Sequence, residues 1–143
     1  MATGEFQTTH APGSGLFDGQ IAAEVFEDDP LKPTNIFSTE SKWHIKVDWE
    51  VTGTEVPMYG GNWLLKAHLE KIGPGTDMTH PDPPLKIPLN GGNDYSEKIE
   101  FDAKKVPDGE YDLVVVLTYQ DTLDDPGPLA GNVKLPMLQF YEP

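Results

Sequence analysis

Apolar and polar residues alternate along much of the chain. The clearest example runs from Trp43 to Val51, where every second residue is aromatic or β-branched and the residues between are polar. The apolar positions are Trp43, Ile45, Val47, Trp49 and Val51. A period of two with such residues on one side is typical of a strand with one buried and one solvent-facing side. This segment therefore predicts a half-buried β-strand.

Six further segments predict short strands. They start near Gln20, continue through 62–72, 85–89, 95–101 and 111–119, and end with 132–141. Residues 62–72 also fit a helix, since Asn62 could cap its start and Gly73 its end. We interpret them as a strand, because strands surround them on both sides. About seven short strands with turn residues between them indicate an all-β antiparallel sandwich.

The 143 residues predict one domain. Residues 1–19 are mostly small or polar and show no period, so we expect a flexible N-terminal lead. Residues 20–143 form the predicted β-sandwich domain. Long connections are expected at 28–42, 73–84 and 120–131, where prolines, glycines and acidic residues accumulate.

Two segments resemble the immunoglobulin-like or fibronectin-III-like sandwich superfamily. Trp49 lies late in the amphipathic second strand, HIKVDWEV, as a core tryptophan does in fibronectin-type domains. The run from Val106 to Leu113 is similar to the corner that leads into the sixth strand of that fold. The resemblance implies an immunoglobulin-like antiparallel sandwich, in which the Tyr111 hydroxyl bonds to upstream backbone. A cysteine pair is lacking, and the fold alone implies no function.

The charge excludes several classes of function. Twenty-four acidic residues against ten lysines, with no arginine, give a formal net charge of −14. Nucleic-acid and anionic-membrane binding are disfavoured because both need a basic face.

The absence of cysteine excludes disulfides and thiolate chemistry. Without an apolar run typical of a signal peptide, we expect a cytoplasmic protein, or one exported without a cleaved signal.

A second apolar face suggests a partner surface. Val114 and Val116, with Leu138 and Phe140 on the last strand, are expected to point away from the main core. A sandwich buries one face of each sheet, so an apolar outer patch indicates binding to another protein or to a second copy. The alternative is that residues 28–42 or the N-terminal lead cover it. We predict a non-catalytic interaction or assembly module, steered by its charge towards basic partners.

Ligand binding by the end loops is an alternative hypothesis. The predicted strand order places 53–61, 90–95 and 120–131 at one end, where Asp94, Asp121, Asp124 and Asp125 could converge on calcium. The EF-hand spacing is absent, and acidic loops are commonly just solvated. This hypothesis predicts that millimolar calcium raises the melting temperature by several degrees.

Carbohydrate binding is a related alternative. Tyr59 lies among glycines, where its ring could stack on a sugar or could fold over the sandwich edge. Stacking on a sugar predicts that Tyr59→Ala abolishes glycan retention and leaves the melting temperature unchanged.

Enzymatic signatures are absent from the sequence. It has no GxSxG, no glycine-rich phosphate loop and no cysteine nucleophile. A small hydrolase built on carboxylates is a weaker alternative, because Asp and Glu are abundant. We predict that the protein is not an enzyme and, calcium aside, needs no cofactor.

Overall fold

The computed structural model describes residues 1–8, 10–11, 13–28 and 32–143, and these form strands, turns and one 3₁₀ turn at Val56–Met58. The strands are β1 (Ala2–Thr3), β2 (Glu5–Gln7), β3 (Asp18–Glu27), β4 (Lys32–Pro33), β5 (Ile36–Ser38), β6 (Trp43–Thr52), β7 (Asn62–Lys71), β8 (Met78–Pro88), β9 (Asp94–Phe101), β10 (Gly109–Gln120) and β11 (Pro126–Tyr141). The predicted all-β sandwich is confirmed.

The strands form two sheets. Sheet 1 has the order β1-β3-β6-β9, with β4 also beside β3, and sheet 2 has the order β2-β11-β10-β7-β8, with β5 also beside β11. Neighbours pair antiparallel except β5, which runs parallel to β11. The seven strands of eight residues or more correspond to the predicted seven. The other four have two or three residues, too few for a period to show.

The ambiguous segment at 62–72 is a strand, as predicted. β7 pairs with β10 on one side and β8 on the other. Its alternate residues Trp63, Leu65, Ala67 and Leu69 are fully buried. A helix would have turned half of these away from the opposite sheet, whereas a strand places all four on one face.

The core between the sheets contains two groups of aromatic rings. The Trp63 cluster consists of Phe6, Trp49, Trp63, Tyr95 and Tyr119. The Phe140 cluster consists of Phe37, Trp43, Phe101, Tyr111 and Phe140. Aliphatic residues such as Val47 and Leu113, both fully buried, occupy the middle. The predicted core positions of the three tryptophans and Tyr111 are confirmed.

Two strands begin earlier than the sequence indicates. β8 starts at Met78 rather than Leu85, because its prolines lie on the edge of sheet 2, where missing N–H donors leave no ladder bond unmade. β11 starts at Pro126 rather than Asn132. A Cβ at Gly127 would lie 2.2 Å from the Tyr119 ring, so this part of the strand needs glycine and shows no hydrophobic period.

The expected orientation of Leu138 and Phe140 is wrong. Both are buried, with exposed fractions of 0% and 4%, and Phe140 is central to its aromatic cluster. The pairing register shifts between Leu135 and Leu138, so that one extra residue of β11 lies opposite β10. Such a β-bulge reverses the inward and outward positions that follow it. Without it, Met137 would face the core.

The N-terminal lead, expected to be flexible, contributes two strands. β1 pairs with β3 of sheet 1, and β2 pairs with β11 of sheet 2. The segment packs because the Phe6 ring contacts Trp63 in the core. A single apolar residue in a polar sequence does not predict such packing. Asp29, part of an expected acidic loop, lies outside the described residues.

The hydrogen bond that the resemblance implied for Tyr111 is present. Its hydroxyl donates to the Pro107 carbonyl oxygen at 2.9 Å. We expect Tyr111→Phe to lower the free energy of unfolding by about 1 kcal/mol, since the acceptor loses its protein donor. Urea denaturation of the two proteins measures this change, and an unchanged m-value would show that only the stability differs. Tyr141→Phe, at a half-exposed tyrosine, is the control and should change nothing measurable; equal effects would contradict the role of the bond.

Alkaline pH should destabilise the fold through two tyrosines. Burial, followed by the charge of Asp108, raises the pKa of Tyr111, and burial, followed by the charges of Asp121 and Tyr59, raises that of Tyr119. The folded state therefore holds these protons more tightly than the unfolded chain. The resulting stability is complete below the ordinary phenol pKa of about 10 and is lost as pH rises above it.

Melting temperatures measured on either side of that pH test this expectation. The loss should be smaller in Tyr111→Phe than in the wild type. Equal alkaline losses in the two proteins would contradict it for Tyr111.

Candidate functional site

Four segments meet at one end of the sandwich, and we call residues 13–17, 53–61, 89–93 and 121–125 the loop end. The Leu89 amide donates to the Gly61 carbonyl at 3.0 Å, and the Tyr119 hydroxyl donates to the Gly60 carbonyl. The Glu55 amide donates to the Leu16 carbonyl at 3.0 Å. The convergence expected for the last three segments is therefore present, and 13–17 joins them.

Two apolar side chains project from the loop end. Met58 and Leu123 are each 79% exposed, more than any other large hydrophobic residue among those described. The Asp121 carboxylate holds the second one in place, because its Oδ1 accepts from the amides of Leu123 and Asp125 at 2.9 and 3.0 Å. Met58 ends the 3₁₀ turn, in which its amide donates to the Glu55 carbonyl at 2.9 Å. Local backbone bonds thus present both side chains to solvent.

The loop end carries only negative side-chain charge. Its acidic residues are Glu55, Asp121, Asp124 and Asp125, and its sequence contains no lysine. Glu55 pairs with His10, with Oε2 and Nε2 2.5 Å apart. Residues 28, 32–42, 72–77 and 102–108, at the opposite end, contain four lysines and five acidic residues, so that end is close to neutral. The loop end, with four acidic residues and no lysine, carries the greater net negative charge.

The four aspartates proposed for calcium are divided by the fold. Asp121 and Asp125 share one turn with Asp124, whose backbone φ is +63°. Asp94 begins β9 and lines a trough of about 530 Å³ in sheet 1 together with Glu50. Within the described ranges, no three His, Asp or Glu side chains are grouped so that they could hold a metal ion.

Tyr59, proposed for carbohydrate stacking, is half-buried. Its ring packs edge-on against Phe17 at 4.9 Å and against Tyr119 at 5.8 Å between centroids. This is the arrangement of a loop aromatic folded over the sandwich end. The ring therefore packs between the loop end and the core, and its neighbour in the sequence is the projecting Met58.

The outer face of sheet 2 holds only part of the expected apolar patch. Val114 and Val116 are half-buried there, whereas Leu138 and Phe140 are in the core. Val116 lies between Lys66 and Asn132 on the neighbouring strands, and Val114 has Lys134 on one side. Polar neighbours thus interrupt the patch.

His44 is buried, and its contacts indicate a structural role. His44 is 5% exposed, its Nδ1 lies 2.5 Å from the Asp28 carboxylate, and its ring stacks on Phe26 at 5.4 Å. The contact with Asp28 ties the start of the 28–42 connection to His44 and so to sheet 1.

Sequence reasoning did not single out Met58 or Leu123 as site residues. The available signal was the position of each in a turn sequence, VPMYGG and DTLDDPG, where a large apolar residue has no strand to bury it. The pattern shows that such residues are in turns, but only the fold shows that the two turns are neighbours.

The fold defines the class of the protein as an all-β sandwich. No protein-family model matches the chain, and no curated protein matches it. In the described ranges, no helix has the length and hydrophobicity to cross a membrane.

Tyr59→Ala should lower the free energy of unfolding. A Tyr59 ring exposed for stacking on a sugar would instead leave the stability unchanged. Two aromatic pairs are lost, which corresponds to about 1–3 kcal/mol of unfolding free energy. Chemical denaturation measures the change. Met58→Ala, at the exposed neighbour, is the matched control and should be nearly neutral. A Tyr59→Ala variant as stable as the wild type would show that these ring contacts contribute nothing.

Proposed function

We propose that the protein is a non-catalytic, immunoglobulin-like interaction module that binds a protein partner through its loop end. The observation that carries this proposal is the joint projection of Met58 and Leu123 from adjacent loops within an acidic surround. Exposed apolar side chains that are grouped and rimmed by polar residues are typical of protein interaction sites, and methionine is enriched in protein interfaces.

The loop architecture supports this role. Loops held at one end of a rigid sandwich are the usual binding elements of immunoglobulin-like domains. Here the hydrogen bonds that the Asp121 carboxylate accepts and the packing of Tyr59 fix the two loops before any partner arrives. A pre-ordered surface loses little conformational entropy on binding.

The strand order supports the immunoglobulin-like assignment. Among the seven long strands, the first, second and fifth form one sheet, and the fourth, third, sixth and seventh form the other. Together with the Tyr111 corner, this arrangement suits a fibronectin-type sandwich. The fold class leaves function to the surface, which is why the loop end and not the topology carries the proposal.

The charge of the loop end favours a basic partner. Two exposed apolar side chains among acidic residues, with no lysine, suit a basic surface with an apolar centre. Rim charges act mainly on association, and salt screens them over about 8 Å at physiological ionic strength. Binding should therefore combine a salt-sensitive association rate with a contact through Met58 and Leu123 that salt affects less.

The test is selection of a displayed random peptide library on the wild-type protein. We expect enriched peptides to combine Lys or Arg with large apolar residues. Their affinity should fall about tenfold or more for Met58→Ser/Leu123→Ser, because losing two buried apolar contacts costs more than about 1.4 kcal/mol. Titration calorimetry at two salt concentrations measures both effects.

The matched control is Ile36→Ser/Met137→Ser. It removes two apolar side chains that are 54% and 46% exposed but belong to the side of the sandwich formed by β5 and β11. Binding should be unchanged in this variant. Selected peptides that bind both double variants as tightly as the wild type would refute the loop end as the binding surface.

A further inference from the structure

The N-terminal segment, residues 1–7, crosses from one sheet to the other. β1 lies beside Ala22 and Ala23 of β3, and β2 lies beside residues 130–132 of β11. The crossing point is Gly4, whose amide donates to the Ile21 carbonyl at 2.9 Å. A Cβ there would lie 1.8 Å from the Asn132 carbonyl oxygen, so only glycine lets the chain pass between the two edges. The segment therefore closes one open side of the sandwich.

Phe6 fixes this segment in a niche. Its ring meets Trp63 edge-on at 6.0 Å. A Cβ atom at Gly19 would lie 2.3 Å from the Phe6 ring and one at Gly131 would lie 3.0 Å from it, so both glycines leave the space that the ring fills. If the segment left, a ring-sized cavity would open beside Trp63 and two strand edges would lose their partners. The niche thus suits a segment that carries an aromatic ring at this position.

The connection between the N-terminal segment and β3 is longer than the part of the segment that pairs with the sheets. β1 and β2 contain five residues, whereas ten residues, 8–17, separate Gln7 from β3. In the described part of this connection, Gly13 and Gly15 adopt positive φ values of 80° and 78°. Ten residues extend over roughly 30 Å, which lets the segment reach a neighbouring molecule.

We propose that residues 1–7 are an exchangeable strand, by which one copy of the chain fills the Phe6 niche of a second copy. Every contact of the segment is the same in the closed and the exchanged form, so the two forms differ only in the connection and in association entropy. Each partner supplies the Phe6 that completes the other's core. This inference concerns self-association and goes beyond the loop-end function.

Electrostatics sets the conditions for exchange. Two copies that each carry a net charge of −14 repel one another at low ionic strength. Salt screens this repulsion, so the exchanged form should increase with both salt and protein concentration. The loop-end contact has the opposite salt dependence, which separates the two kinds of association.

The test uses single-cysteine variants of the 143-residue chain, since this sequence has no cysteine. Gln7 and Ala130 face each other across the β2–β11 pair. Facing residues of antiparallel strands have Cα separations that suit a disulfide. When Gln7→Cys and Ala130→Cys proteins are mixed in a glutathione buffer, the exchanged form holds the two thiols opposite one another and so favours a disulfide between the chains above the yield from random collision.

The matched control pairs Gln7→Cys with Lys134→Cys. Lys134 is exposed, whereas Ala130 is half-buried, and it lies on the same face of β11 four residues from the facing position. We expect about tenfold more heterodimer for the facing pair than for this control on non-reducing gels, because disulfide formation depends on geometry. Light scattering of the wild type should show a rise in mean mass with concentration at moderate salt.

Equal heterodimer yields for the two mixtures would overturn the proposal, as would a wild-type mass that stays monomeric at millimolar concentration. The facing pair combined with Met58→Ser/Leu123→Ser should link as before. That result distinguishes failure of exchange from failure of the loop-end function, because the loop-end variant retains Phe6 and its niche.

Discussion

The burial of Trp63 connects the parts of this structure. The side chain comes from β7 and meets rings from β6, β9 and β10 as well as Phe6 of the N-terminal segment, all edge-on at 5.9–6.2 Å. Its Nε1 has no hydrogen-bond partner, a cost of about 1–3 kcal/mol that the surrounding contacts must exceed. Sheet 1, sheet 2 and the N-terminal segment therefore share one packing centre.

Both proposed interactions depend on this centre. Tyr119 links Trp63 to Tyr59, and Tyr59 supports the loop that presents Met58. On the opposite side, the edge of the Trp63 ring forms part of the niche that holds Phe6. A change in the Trp63 cluster should therefore affect the loop end and the N-terminal segment together. The two proposed interactions are separable only by substitutions further from Trp63.

The sequence predicts the strands well and the surfaces poorly. Alternation at residues 43–51 and 111–119 identifies buried faces because strand geometry has a period of two. The same rule places Leu138 on the wrong side, since the bulge before it depends on pairing with β10. Phe6 carries no periodic signal, and the adjacency of the two turns that carry Met58 and Leu123 follows from topology. The candidate site thus required the tertiary structure, whereas the fold class did not.

The side of the sandwich opposite the N-terminal segment has a different character. β8 has four prolines in its sequence, and β9 presents Glu97, Lys98 and Glu100 along the neighbouring edge. The His80 ring spans the gap between these strands, with Nε2 2.8 Å from the Glu100 carbonyl and the ring against Phe101. Proline and charge on edge strands oppose further strand addition. This side of the sandwich is therefore poorly suited to pairing with a strand of another molecule.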